Sequence, residues 1–210
     1  LGVLRALRSP SRSIRDFSVL EMHRPWEALR SYEAPLDPPE TFEVYPNRDS
    51  LPFMAEYGFE EGWRVRDFVR GTLRLGGWAE AWAGIFEEIE GLEDAAGEAR
   101  MRELSDELWR KHAYEDGEPD RVVLCVSLEV RQDGRPTYHK TYAMDAWGDA
   151  RGSAMARLVS HTVRLAVEAV SARAVPAGVT AAPSDPKLVA DWLAEIDTQA
   201  QRLGVVDHLR

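Results

Sequence analysis

Two strand-like apolar runs that each end in polar turn residues constrain the fold of this chain more than any other feature. The first run leads into the turn Tyr-Pro-Asn-Arg-Asp-Ser at residues 45–50, and the second covers residues 63–75 before a Gly-Gly bend at 76–77. Apolar runs that stop at Pro, Asn, Asp and Gly are typical of strands joined by short turns or helical segments. The sequence therefore predicts two neighbouring strand ends, with residues 47–50 on one and residues 70–74 on the other.

The polar residues at these two ends favour binding of an acidic small molecule. Arg48 follows the first run, and Arg70, Thr72 and Arg74 alternate along the second. A guanidinium grips a carboxylate with two parallel hydrogen bonds, and hydroxyl and amide groups complete such a site. Read from residue types alone, residues 47–50 could equally be a polar turn in which Asn47 and Asp49 stabilise the local backbone.

Composition excludes several classes of partner. The chain has 36 acidic and 26 basic residues and a formal net charge of −10, whereas a nucleic-acid-binding protein needs a basic face. No segment approaches the roughly 18 uncharged apolar residues that a membrane span needs. We therefore expect neither nucleic acid nor membrane as a partner. Because the single Cys125 cannot form an internal disulfide, we also expect a reducing, cytoplasmic setting.

The sequence gives no sign of metal or nucleophilic chemistry. Its five histidines are scattered without metal-ligand spacing, and it has no Gly-x-Ser-x-Gly motif. The Gly-x-Gly-x-x-Gly fingerprint of a dinucleotide site is also missing. We therefore predict no metal and no catalytic residue here. Because the chain begins without Met, in what reads as the end of a helix, we expect it to be part of a longer protein.

The hydrophobic periodicity predicts an α+β fold, with a mixed or antiparallel sheet of four to six strands covered by helices and with a helical insertion. Asp-Gly at 133–134 predicts a β-hairpin, and the apolar run at 122–126 predicts a central, buried strand. Strands are predicted at 18–23, 41–45, 63–75, 122–131 and 137–144, and helices at 1–8, 52–57, 79–92, 95–112, 153–173 and 186–203.

Two helices have a predicted inner face. Between residues 95 and 112 it comprises Met101, Leu104, Leu108 and Trp109. In the helix from 153 to 173 it comprises Met155, Leu158, Val159, Thr162, Val163, Ala166, Val167 and Val170.

The paired motifs at 45–50 and 70–74 resemble those of the glutamate-forming saccharopine dehydrogenases, also called saccharopine reductases. The segments at 2–7, 155–157 and 178–179 are similar to that family too. The resemblance covers most of the chain but only the part of the enzyme that follows its nucleotide-binding domain. It implies an oxidoreductase of lysine metabolism that acts on CH-NH groups. Its nicotinamide cofactor exchanges hydride with an imine or secondary amine that joins a lysine-type amine to glutamate.

The resemblance also implies a domain organisation and a set of site residues. Residues 1–78 and 118–210 would form a substrate-binding and dimerisation domain of a homodimer, and residues 79–117 a helical insertion. NADP or NAD would be bound by an N-terminal Rossmann domain absent from this chain, which alone would be inactive. The catalytic acid and base would also lie upstream. Arg48, Arg70 and Thr72 would hold carboxylates, Asn47, Asp49 and Tyr57 would orient them or the amine, and Ser50 would complete the substrate-binding set.

Two alternatives remain open. The segment after residue 74 is Leu75-Gly76, where the family usually has an aromatic residue, so a relative acting on a carboxynorspermidine-type substrate would look similar. A protein of another class, a non-catalytic α+β module for ligand binding or self-association, could keep the same fold without the reaction.

Overall fold

The computed structural model describes residues 1–179 and 182–210 and contains two compact units. The first unit comprises residues 1–33 and 41–113, and the second comprises residues 34–40 and 114–210. The α+β class is confirmed, but the strands of the described residues form three antiparallel sheets of two, three and three strands instead of one sheet. The grouping of 1–78 with 118–210 around an insertion at 79–117 stays a prediction.

The elements before residue 113 are short strands followed by two long helices. The chain forms sheets β1-β2 and β3-β4-β5, in that strand order. The elements are α1 (Gly2–Arg8), β1 (Ser11–Arg15), β2 (Ser18–Met22), a 3-10 turn (Pro25–Ala28), β3 (Arg30–Ala34), β4 (Glu40–Pro46), α2 (Pro52–Glu56), β5 (Gly71–Leu75), α3 (Trp78–Glu90) and α4 (Ala95–His112).

The core of the first unit forms where α1, α3 and α4 pack together with β4. The predicted helices at 79–92 and 95–112 are confirmed as α3 and α4, and Asp94 caps α4 by accepting a hydrogen bond from the Gly97 N–H at 2.8 Å. Trp109, predicted to lie inside, is 71% exposed. The buried side chains of this core are Leu4, Leu7, Tyr45, Ile89, Met101 and Leu104.

The predicted strand at 63–75 is wrong in its first half, since β5 begins only at Gly71. The preceding segment pairs with the β1-β2 hairpin instead. The N–H of Ile14 donates to the Phe68 carbonyl at 2.9 Å, and the N–H of Phe17 donates to the Arg66 carbonyl at 2.9 Å. The backbone therefore changes partners between Phe68 and Gly71, which no local pattern in the sequence reveals.

The second unit is a three-stranded sheet with two helices. Its elements are β6 (Arg121–Gln132), β7 (Arg135–Trp147), α5 (Ala154–Ser171), α6 (Pro186–Asp197) and β8 (Arg202–Asp207). The hairpin is confirmed, because Asp133 and Gly134 have φ angles of 51° and 77°. The helix predicted to reach residue 203 is wrong at its end: α6 stops at Asp197, and the chain continues as β8.

Two predicted burial patterns in this unit are wrong. The strand order is β6-β7-β8, so β6 is an edge strand and β7 is the central one. The side of α5 that packs inward carries Ala154, Arg157, Leu158, Leu165 and Ala169. Most of the stripe predicted to lie inside is instead exposed, namely Met155, Val159, Val163, Val167 and Val170.

A buried guanidinium anchors the loop between β7 and α5. Arg157 donates to Asp149 Oδ1 at 3.0 Å and to the carbonyls of Trp147 and Gln199, both at 3.0 Å. Hydrogen bonds from Arg151, and secondarily the nearby charge of Arg157, lower the pKa of Asp149 to about 2. The ionised form of Asp149 therefore stabilises this loop.

The same substitution at two glycines should change stability in opposite directions. Gly134→Ala places a side chain at a positive φ angle and should lower the free energy of unfolding by about 1–2 kcal/mol. Gly84 is an exposed residue of helix α3, where an added Cβ meets no atom. Gly84→Ala should therefore raise the free energy of unfolding by about 0.5–1 kcal/mol. Urea unfolding followed by circular dichroism measures both. A shift in the same direction for both variants would contradict the turn geometry.

Acid should weaken the second unit through Asp149. Because its folded-state pKa is lowered, its contribution is present above the unfolded pKa of about 4 and is lost as pH falls towards about 2. Thermal unfolding between neutral pH and about pH 2 should therefore show a shallower decline in Asp149→Asn than in the wild type, from a lower starting stability. Parallel curves for the two proteins would show that Asp149 does not contribute.

Candidate functional site

The two predicted motifs meet where β4 ends and β5 begins. The strands pair antiparallel with Tyr45 opposite Thr72 and Pro46 opposite Gly71. Beyond the last pair, the Asn47 N–H donates to the Arg70 carbonyl at 2.8 Å. The structure thus joins the backbones of the two motifs directly, as the sequence predicted.

Gly71 permits this close pairing. A Cβ at residue 71 would lie 2.8 Å from Cγ2 of Val44 on the neighbouring strand, which is closer than carbon atoms approach each other. A larger residue would therefore require the Val44 side chain or β5 to shift. The glycine of the Arg-Gly-Thr motif is explained by this contact.

Ser50 fixes the loop between the two motifs from inside. Its side chain is fully buried, and its Oγ accepts a hydrogen bond from the Arg70 N–H at 3.0 Å. Its own N–H donates to the Arg12 carbonyl at 2.9 Å, while the Arg12 N–H donates to the Arg48 carbonyl at 3.1 Å. These contacts give Ser50 a positioning role, because its hydroxyl is engaged and lies away from solvent.

Asp49 is committed to an ion pair. Its carboxylate accepts from the guanidinium of Arg12, with Nε at 3.1 Å, and from the Leu51 N–H at 3.0 Å. The hydrogen bond from Arg12 lowers the pKa of Asp49. The negative charge of Asp49 is therefore compensated by Arg12. The positive charge of the neighbouring Arg48 stays available to a ligand.

Arg70 and Tyr57 both contact Phe53 of α2. The guanidinium of Arg70 lies over the Phe53 ring, 3.6 Å from its centroid, and the Tyr57 ring lies 6.0 Å from the same ring. Both side chains are exposed at their polar ends. A guanidinium stacked on an aromatic face is held in place while its N–H donors remain free to bind a planar anion.

Arg74 belongs to the same face. The residue pattern grouped it with Arg70 and Thr72, but the substrate-binding set implied by the resemblance does not include it. Alternate residues of a strand share a face, so Arg70, Thr72 and Arg74 point to one side of β5. The Arg74 guanidinium donates to Tyr45 Oη at 3.1 and 3.3 Å and lies 5.3 Å from the Trp78 ring. The period-two spacing of these three residues was the signal for including it.

Three arginines of this region have no carboxylate partner. Among the residues that the structure describes, Arg48, Arg70 and Arg74 make no ion pair, although the chain has ten more acidic than basic residues. Arg12 and Arg24 of the same unit are paired with Asp49 and Glu90. The site therefore keeps positive charge uncompensated in an acidic protein, which suits an anionic ligand.

Other features of the described residues carry less chemistry. No group of three or more His, Cys, Asp or Glu side chains within residues 1–179 and 182–210 could hold a metal ion. None of the described helices combines the length and apolar character that crossing a membrane requires. An apolar groove of about 250 Å³ lies between α5 and α6, lined by Leu165, Ala169, Leu188 and Trp192. Its neighbouring acids Glu168, Asp191 and Glu195 are all ion-paired at the surface.

Comparisons with known proteins agree with the resemblance read from the motifs. The family described as "Saccharopine dehydrogenase C-terminal domain" matches residues 1–200. A comparison with curated proteins finds no match. Among solved structures, the fold is similar to apo histidine-tagged saccharopine dehydrogenase (L-Glu forming) from Saccharomyces cerevisiae. The TM-score is 0.72 at 20% identity, over 98% of this chain and 60% of that one.

These matches differ in what they establish. At 20% identity the structural likeness concerns the fold alone, and the chain spans 60% of the length of that relative. The family match extends over nearly the whole sequence and confirms the predicted family. The chain therefore belongs to the saccharopine dehydrogenase C-terminal domain family.

Proposed function

We propose that this chain is the substrate-binding portion of a saccharopine-dehydrogenase-like, NAD(P)-dependent oxidoreductase that acts on a carboxylated imine or secondary amine. The observation that supports this most directly is the group of carboxylate-free arginines, Arg48, Arg70 and Arg74, around the paired ends of β4 and β5. Their uncompensated positive charge favours binding of an anion, and their planar donors suit carboxylates.

The role of these side chains is to orient the substrate. Arg70 is held between the Phe53 ring and a backbone fixed by Ser50, and Arg48 follows a residue that is hydrogen-bonded to the Arg70 carbonyl. We propose that a ligand with two carboxylates engages both guanidinium groups. Binding at two points fixes the direction of the bond between the carboxylated parts, which lowers the entropic cost of reaching a reactive geometry. Thr72, Asn47 and Tyr57 would add hydroxyl and amide contacts.

The residues of this chain do not fit a nicotinamide dinucleotide. Such a cofactor binds at the end of a parallel βαβ unit with a glycine-rich turn, whereas the paired strands of the described residues are antiparallel and the sequence lacks that turn. We infer that NADP or NAD, which supplies the hydride chemistry, is bound by a Rossmann domain elsewhere in the protein. The contribution of this chain is then binding and orientation.

The same proposal includes the biological setting expected from the sequence. We propose that the complete protein is a cytoplasmic enzyme of lysine metabolism and that it works as a homodimer. This chain would then contribute to self-association as well as to substrate binding.

In the complete protein, Arg48→Ala should raise KM for the carboxylated substrate by more than about tenfold, equivalent to roughly 1.5–3 kcal/mol for a lost charge-assisted bond. Arg64→Ala is the matched control: it removes an exposed arginine of the same unit that lies over the Phe17 ring outside the site. Steady-state kinetics with saccharopine and related amino-dicarboxylates measure both. An unchanged KM for Arg48→Ala would show that Arg48 does not bind the substrate.

The isolated chain should bind such amino-dicarboxylates without turning them over. Titration calorimetry should show binding that weakens with salt, because the contacts are between charges near the surface. Mixing the chain with NADPH and an imine substrate should leave NADPH absorbance unchanged. Turnover by this chain alone would refute the assignment of the cofactor to another domain. A complete protein that binds the ligand but has no turnover would identify a non-catalytic binding module.

A further inference from the structure

Two histidine side chains lie next to each other at the edge of the second unit's sheet. His139 is on β7, and His208 directly follows β8. The two strands pair antiparallel with Lys140 opposite Asp207, and at the next position the His208 N–H donates to the His139 carbonyl at 3.0 Å. Because opposite residues of an antiparallel pair share a face, both imidazoles lie on the same side of the sheet. Their ring centroids are 4.1 Å apart, and their planes differ by 24°.

A chain of hydroxyl groups fixes the proton of the His208 ring. Nε2 of His208 lies 2.9 Å from Oγ1 of Thr141, and that hydroxyl donates to Oγ of Ser127 at 3.1 Å. Since the Thr141 proton is directed to Ser127, the Thr141 oxygen accepts from His208, and Nε2 is the nitrogen that carries hydrogen. Thr141 is buried, which shields this contact from water. Nδ1 of the neutral ring therefore keeps its lone pair.

Metal-binding histidines usually have a contact of this kind. A histidine that binds a metal through one nitrogen commonly donates its other N–H to an oxygen, which fixes the tautomer and the orientation of the ring. Thr141 supplies that oxygen to His208. Among the residues that the structure describes, neither ring nitrogen of His139 has a hydrogen-bond partner. The His139 ring can therefore turn towards an ion shared with His208.

The distance between the rings suits one ion bound by both. A metal–nitrogen bond of about 2.0–2.1 Å places the centroids of two imidazoles on one ion roughly 4.5–5 Å apart, for bond angles from square to tetrahedral. The observed 4.1 Å is within about 1 Å of that range, so a small rotation of His139 completes the geometry. His208 is exposed and His139 is half-buried, so an ion can reach the pair from solvent.

We propose that His139 and His208 bind a divalent late transition metal ion of the Zn²⁺ type, which fastens β8 to β7. Each imidazole supplies one neutral nitrogen, a ligand that Zn²⁺, Cu²⁺ and Ni²⁺ accept, and water completes the coordination. An ion bound only by the folded chain adds its binding free energy to the pairing of this edge strand. The site uses two side chains and so differs from the three-ligand groups that the described residues lack.

The basic side chains around the pair are engaged with carboxylates. Glu129 of β6 lies opposite one of the two histidines, on the same face, and forms an ion pair with Arg131. Asp207 has Lys140 at 3.9 Å and Arg210 at 3.4 Å. The chain as a whole carries a net charge of −10. The surroundings therefore favour a cation, and this inference does not depend on the ligand proposed above.

Titration calorimetry of the untagged 210-residue chain with Zn²⁺ should show one ion bound per chain. His139→Gln should weaken binding at least about 100-fold, because it removes one of two ligands, whereas loss of the outer contact in Thr141→Val should weaken it by about tenfold or more. His161→Gln is the matched control. His161 belongs to the same unit, but its Nε2 lies 3.3 Å from Glu195. This variant should bind Zn²⁺ as the wild type does, and thermal unfolding should confirm that all three variants are folded.

Nuclear magnetic resonance tests the position of the ion. Substoichiometric Cu²⁺ should broaden the signals of residues 139 and 208 before those of the other three histidines, because its unpaired electron acts on nearby nuclei. Affinity should fall from Cu²⁺ to Zn²⁺ to Mn²⁺, and Mg²⁺, which prefers oxygen ligands, should not bind. Wild-type protein that binds no Zn²⁺, unchanged affinity in His139→Gln, or equal loss in His161→Gln would overturn the proposal.

Hydrogen exchange tests the consequence for the sheet. Zn²⁺ should slow exchange in residues 202–207 of β8 and leave residues 18–22 of β2, in the first unit, unchanged. In His139→Gln the same Zn²⁺ concentration should have no effect on β8. Exchange in β8 that Zn²⁺ does not change in the wild type would contradict the fastening of this strand.

Discussion

The hydrogen-bonded junction of β4 and β5 is the constraint on which the candidate site depends. Asn47 and Arg70 are joined through the backbone, and the buried hydroxyl of Ser50 holds the same residue from the other side. The backbone of the junction sets the positions of these residues, and aromatic side chains then hold the guanidinium groups of Arg70 and Arg74. A site fixed in this way can keep its guanidinium groups uncompensated, since they are not needed to stabilise the loop.

The distribution of carboxylates gives this arrangement its chemical meaning. In a chain with an excess of acidic residues, many arginines form ion pairs with carboxylates, as Arg12 does with Asp49. That ion pair removes the acidic group nearest in sequence to Arg48, while aromatic rings contact Arg70 and Arg74. Aromatic faces hold a cation in place without neutralising it as a carboxylate would. The positive charge of the site is thus preserved by the choice of its neighbours.

The sequence predicted these features to different depths for physical reasons. Local signals predicted well: Asp133-Gly134 predicted the hairpin, and the two polar motifs were expected to be neighbours. The switch of residues 66–68 to the β1-β2 hairpin depends on distant backbone partners and has no local signal. The alternation of Arg70, Thr72 and Arg74 grouped Arg74 with the motif, although the resemblance did not assign it a role. The pairing of Asp49 with Arg12 could not have been predicted, because the two residues are 37 positions apart.

The reversed face of α5 has a different origin. Periodicity records which side chains avoid water but not whether the surface that covers them belongs to the same chain. Val159 and Val163 were predicted to lie inside because they are apolar, and the fold of one chain leaves them in water. The hydrophobic effect that buries Leu158 and Leu165 in the unit acts equally on these valines. The apolar pattern of α5 is therefore wider than the side that packs inside the unit, and periodicity alone does not tell which of its residues the unit buries.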